Sequence, residues 1–211
     1  MHLTHQDILE TSKIRRLNII NSITGIKPGN LIGTKGKDGS SNLAVFSSVV
    51  HLGSKPPLLG FILRPTGDVP RHTHQNILET GIYTINSIPA NKTQNAHYTS
   101  AKFEFGNSEF KGCDFEEENI EGFHAPFVKE SAIKIGLSVV QTIDIELNGT
   151  KLVIGKIEHL MVHDELVSEE GYINLEKANA AGISGLNSYY KLKHIADYPY
   201  ARISELPEFS I

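Results

Sequence analysis

The chain has 211 residues, 39% of them hydrophobic and 21% charged, with a formal charge of −4; this suits one globular domain over residues 1–211. That charge leaves no electrostatic footprint for nucleic acid or an anionic membrane surface, and no apolar run approaches the roughly 20 residues that span a bilayer. A single cysteine, Cys113, excludes an intrachain disulfide, and the N-terminus lacks a basic stretch followed by an apolar one, so the cytoplasm is the expected compartment.

Residues 4–20 read as a helix. Ile8, Leu9, Ser12, Arg15, Arg16 and Ile19 give an imperfect amphipathic pattern, and the breaker cluster ITGIKPGN follows. From Asn30 the period changes. NLIGTKGKDGSSNLAVFSSVV predicts two strands joined by a glycine-rich turn at KDGS. Gly33, Gly36 and Gly39 also invite a phosphate-loop reading, but the G-x-x-x-x-G-K-[ST] pattern and a following helix are both missing. Asn42, Ser47 and Ser48 are polar groups in an otherwise apolar strand. Facing water they need nothing; on a buried face they need partners, which a hydrogen-bonding ligand would supply. PPLLGFILRP, short, apolar and bounded by prolines, predicts a buried strand.

GDVPRHTHQNILETG contains His72 and His74 one residue apart, and Glu79 further on. On a strand the two histidines would share a face and could grip a metal ion, as in a cupin-like protein. The stretch is not amphipathic as a strand, however. A helix over residues 70–80 fits better, with Pro70 in the first turn and Gly81 as the C-terminal cap. Its start, near Arg64, Arg71, His72 and Thr73, then offers free N–H groups, cations and a hydroxyl, a set better matched to a phosphate than to a metal. On this reading His74 and Glu79 occupy only the helix surface. The remaining alternative is that Arg71 and both histidines are solvated surface residues.

Cys113, in the polar FKGCDFEEEN, lacks a neighbouring cation and reads as a plain loop thiol. In SAIKIGLSVVQTIDIEL, alternate apolar residues from Ile133 to Leu147 predict a half-buried strand. Asn148-Gly149 then predicts a type I′ hairpin turn, with TKLVIGKIEHLMV as the partner strand. Several strands, tight turns and few long helices argue for an antiparallel barrel or sandwich. No G-x-G-x-x-G stands in a strand–turn–helix context, and no G-x-S-x-G elbow is present.

As an ordered set, GKDGSSNLAVFSSVVHLGSKPPLLGFILRP and HTHQNILETGIYTINSI resemble the flavin reductase-like FMN-binding split-barrel family, flavoredoxin-like branch. NAHYTSAKFEFGNSEF, APFVKESAIKIGL, GLNSYYK and YAR extend the resemblance over nearly the whole chain. It implies a mainly β fold, an antiparallel six- to seven-stranded Greek-key split barrel with added short helices, working as a homodimer. It implies noncovalent FMN, with Asn42, Leu43, Ala44, Phe46, Ser47, Ser48 and Val49 along the flavin and Arg64, His72, Thr73 and Asn76 at its phosphate. His72 departs from the aspartate of many relatives. Residues 97–101, Tyr189 and Tyr190 are placed near the flavin or its partner site. The implied activity is hydride transfer from NADH or NADPH to the flavin N5, with electrons passed to a small-molecule acceptor. The alternative is an electron carrier or flavin-storage protein with little NAD(P)H activity. Because the cofactor carries the chemistry, no catalytic residue and no metal are expected.

Overall fold

The alternation that begins at Asn30 becomes strand β1 (Asn30–Lys35), whose residues are buried on both faces. Leu31 enters one apolar cluster and Ile32, on the opposite face, another. The computed structural model describes residues 1–65, 71–104 and 106–208. Strands β2 (Ser41–Phe46), β3 (Val50–Ser54), β4 (Pro57–Leu63), β5 (Ile82–Ser87), β6 (Ile133–Ile145) and β7 (Thr150–Val162) join β1 in one antiparallel sheet of order β2-β1-β5-β6-β7-β4-β3.

That order dictates the shape. β2 and β3 are opposite edges of the sheet, yet only residues 47–49 connect them. Those residues reach about 14 Å at most, whereas six strand spacings in a flat sheet span about 29 Å. The sheet must therefore curl until its edges nearly meet, without closing the ladder. Ser48 stitches the seam: its hydroxyl accepts from the Ile62 N–H at 3.1 Å and donates to the Ile62 carbonyl at 3.2 Å. The result is the expected split barrel. Phe61, Leu63, Ile77, Tyr83, Ile85, Leu137 and Val153 fill it together with Ile32. The second cluster lies outside β1 and β2, under α4 (Thr93–Tyr98), α5 (Glu109–Gly112) and β8 (Ala181–Ser184). β8 lies between Lys27–Pro28 and β9 (Ser188–Lys191) in a small second sheet.

Helix α3 (His72–Thr80) starts at Arg71 and ends at Gly81. The glycine is left-handed, with φ +68°, and its N–H donates to the Ile77 carbonyl at 2.8 Å. Pro70, assigned to this helix from sequence, lies outside the described residues.

Four expectations need correction. The single helix over residues 4–20 is two, α1 (His5–Glu10) and α2 (Lys13–Ser22). Thr4 and Asp7 form a capping box at the start of α1, while Thr11 and Ser12 are extended. Arg16 then donates to the Leu9 and Thr11 carbonyls left open where α1 ends. Second, Ser47 and Ser48 belong to the link across the seam and not to strand β2. Third, the alternation in β6 does not run through: a bulge at Val140 reverses which residues face inward, and Ile143 is 41% exposed. Fourth, the β6–β7 turn is a four-residue turn, not type I′. Only Gly149 has positive φ, and its N–H donates to the Ile145 carbonyl at 2.9 Å. The Asn148 carboxamide oxygen instead accepts from the Thr150 N–H and hydroxyl.

Candidate functional site

Curling the sheet without closing it leaves a cavity of about 640 Å³ against the free edge of β2, a size suited to a cofactor. The link at Ser47 and Ser48, the end of β4 at Arg64, the start of α3, residues 99–103 and Leu186 and Asn187 line it. Around the start of α3 the side chains hold one another. The Asn42 amide donates to the Thr73 hydroxyl at 3.0 Å, with Asn42 6% and Thr73 5% exposed. Arg71, the N-cap, makes no side-chain capping bond, so the first N–H groups of α3 keep no intrahelical acceptor. Among the described residues no carboxylate pairs with Arg64 or Arg71. Arg64 and Arg71 are both exposed, beside buried Asn42 and Thr73; a positive helix end and two such cations are a place for an anion.

Glu109 was not anticipated from sequence. It is almost fully buried on the cavity wall, and its Oε2 accepts from the Leu43 N–H at 3.0 Å. Burial pushes this carboxyl above the ordinary glutamate range; the Leu43 N–H and the charge of nearby His72 oppose the rise. The contact also fixes the facing of the edge strand. If the Leu43 N–H points away from β1, alternation turns the N–H and carbonyl of Val45 the same way, toward the cavity that Val45 lines.

The structure brings Asn42, Ala44, Phe46, Ser47, Ser48, Arg64, His72 and Thr73 to the cavity wall. Leu43, Val49 and Asn76, expected with them, do not line it. Leu43 is wholly buried in the outer cluster, and Val49 packs on the barrel interior. Asn76 donates to the Thr34 hydroxyl at 3.1 Å, tying α3 to β1. Thr99, Ser100 and Ala101 reach the cavity, whereas His97 and Tyr98 do not. His97 instead meets the Tyr189 hydroxyl at 3.4 Å, and burial pushes that phenol up to about 12; Tyr190 is exposed.

His72 and His74 fall about 200° apart around the helix, which prevents them from gripping one ion. Among the described residues no three histidine, cysteine, aspartate or glutamate side chains form a metal-holding group. Burial, aided by Lys151, holds His74 below the ordinary imidazole value. Glu79 does more than expected, accepting from the Lys37 N–H at 3.4 Å and so joining α3 to the β1–β2 turn. Cys113 is buried beside α5, where its thiol is pushed up to about 11, first by burial and then by Glu109. The unanticipated wall residues Lys27, Lys102, Glu109, Leu186 and Asn187 carry no local signal; long-range contacts bring them together.

Comparison with known proteins agrees with this architecture. The model of the flavin reductase like domain matches residues 26–180. A solved split-barrel protein of Shewanella frigidimarina NCIMB 400, assigned as a flavin reductase, is 42% identical with a TM-score of 0.91, over 95% of this chain and 100% of that one. The 2-nitrobenzoate 2-nitroreductase of Pseudomonas fluorescens shares the fold at 18% identity and TM-score 0.80, over 99% of each chain. The flavoredoxin of Desulfovibrio vulgaris (Miyazaki F) shares it at 20% identity and TM-score 0.72, over 83% of this chain and 92% of that one. With the family model spanning most of the chain and the split barrel in place, this protein belongs to the flavin reductase-like family.

Proposed function

We propose that this protein binds FMN noncovalently in the cavity beside β2 and acts as an NAD(P)H-dependent oxidoreductase. The observation that carries the reading is the part of that cavity where the open start of α3, with buried Asn42 and Thr73, meets the exposed Arg64 and Arg71, neither of which pairs with a carboxylate among the described residues. A phosphate monoester fits this donor set. Arg64 and Arg71 supply fixed charge and forked donors, while Thr73, oriented by Asn42, and the α3 N–H groups supply short hydrogen bonds. Phe46 and Ala44 offer apolar contact, and the outward Val45 backbone offers a donor and an acceptor to a heterocycle with polar edges.

Bound FMN would supply the hydride-accepting and electron-transferring chemistry. The chain's part is to bind, orient and exclude water. Glu109 is engaged with Leu43 and holds the edge strand, so it takes no acid–base role in this reading. The donor is NADH or NADPH and the acceptor a small molecule; two copies form the working unit, in the cytoplasm.

The purified protein is expected to show the visible bands of oxidised flavin, or to gain them when FMN is added. NADH or NADPH should bleach these bands without oxygen. Flavin that binds but resists both donors would make the protein an electron carrier, and a failure to bind FMN would end the reading. Arg64→Ala is expected to weaken FMN about 10- to 100-fold, the loss of one charged hydrogen bond of about 1.5–3 kcal/mol. Fluorescence titration measures this, and unchanged affinity would remove Arg64 from the phosphate site.

A further inference from the structure

Two helices stand outside the domain that the family model matches. That match begins at residue 26, whereas α1 and α2 have ended by Ser22. Neither helix contains a buried residue. Yet Ile20 and Asn21 of α2, and Thr24 just beyond it, line the cavity beside β2. The N-terminal segment thus gives the site part of its wall while entering neither apolar cluster.

Its attachment is slight. α1 has 6 residues and α2 has 10, and helices shorter than about 12–15 residues are marginal in water unless packing supports them. Among the described residues no ion pair joins either helix to the rest of the chain. The tether is Lys27, whose ammonium donates to the Asn21 carbonyl at 2.6 Å and to the Thr24 hydroxyl at 3.4 Å. Between α2 and Lys27 the chain turns at Gly25, with φ +77°. A Cβ added there would meet nothing within 4 Å, and a glycine in open space can absorb the rotation of a hinge. Ser22 meanwhile faces the β8–β9 turn: a Cβ on Gly185 would lie 3.1 Å from its hydroxyl. That turn carries Leu186 and Asn187, which line the cavity as well.

We propose that α1 and α2 form a lid hinged at Gly25, which opens to pass FMN and closes with Ile20, Asn21 and Thr24 against it. This rests on the FMN reading above. Ile20 is 43% exposed, so a bound cofactor supplies apolar contact that the lid lacks. Few buried contacts make a segment easy to open, and contact with a ligand shifts it toward the closed state.

The test has two arms. In hydrogen exchange on the parent protein, residues 13–22 should exchange far faster than β1 and β5 without FMN, and FMN should slow them about tenfold. Protection of α2 equal to that of the barrel strands in the empty protein, whether from packing or from a second copy, overturns the proposal. So does exchange that FMN leaves unchanged. The second arm locks the lid with Ser22→Cys and Gly185→Cys together, a pair that Cys113, being buried, does not disturb. Loaded with FMN and then oxidised, this variant should release FMN about tenfold more slowly; oxidised while empty, it should take FMN up more slowly by a similar factor. A phosphine reductant should restore both rates. Equal rates in the two redox states, or a fall in one rate only, overturn the lid. Gly185 has φ +61°, which strains a cysteine there; if the variant does not fold, the exchange arm decides by itself. If the parent protein takes up no FMN, the cofactor reading fails together with the lid, whereas FMN binding with either arm negative removes the lid alone.

Discussion

Glu109 joins stability and site geometry in one side chain. Its burial raises the carboxyl pKa, so folding favours the protonated form. The resulting stabilisation is complete below the unfolded glutamate value of about 4.3 and is lost as pH rises through the higher folded value. Glu109→Gln keeps an acceptor for the Leu43 N–H and removes the buried charge. It is expected to match the parent in urea denaturation at pH 5 and to equal or exceed it at pH 8. Glu109→Ala strands a buried N–H and should cost about 1–3 kcal/mol at both. A Gln variant as unstable as the Ala variant at pH 8 would refute this account. The role was illegible in sequence because the partner, Leu43, lies 66 residues away. The place of Thr73 in the first turn of α3 was legible because a helix start marks its own first residues, whatever packs against them.

At the scale of elements, α3 was readable from Pro70 and Gly81, which bound a run without breakers. The β1–β2 hairpin was readable from its turn residues. The bulge at Val140 was not: the apolar residues beyond it keep the old period while their faces exchange. The break between α1 and α2 was also hidden, because Thr11 and Ser12 weaken a helix only slightly and it is Arg16 that holds the bend. The seam invites a direct test. Ser48→Ala would leave the Ile62 N–H and carbonyl without their partner, at an expected cost of about 1–3 kcal/mol by urea denaturation. FMN affinity should fall with it, since the seam forms part of the cavity wall. Full stability in this variant would show that the barrel edges are held by packing alone.

For the whole molecule, apolar surface remains in excess. Ile14, Leu17, Ile20 and Ile23 are exposed at the N-terminus, and Ile195, Tyr198, Tyr200 and Ile203 in the C-terminal segment, where they are 83–95% exposed. Light scattering is expected to give about twice the 23.3 kDa chain mass, and removal of residues 192–211 should shift the balance toward monomer at low concentration. A monomer at high concentration would argue against the dimer. Part of the local order was determined by the sequence itself: the β1–β2 hairpin and the end of α3 at Gly81 follow from turn and cap chemistry, which acts between near neighbours. Strand order, the curl forced by a three-residue link between opposite edges, and the arrival of Glu109 and Lys27 at the cavity that Arg64 and Thr73 also line were decided only by the tertiary structure. Those contacts join residues far apart in the chain, and burial on both faces of β1 stabilises them only once the whole sheet has formed.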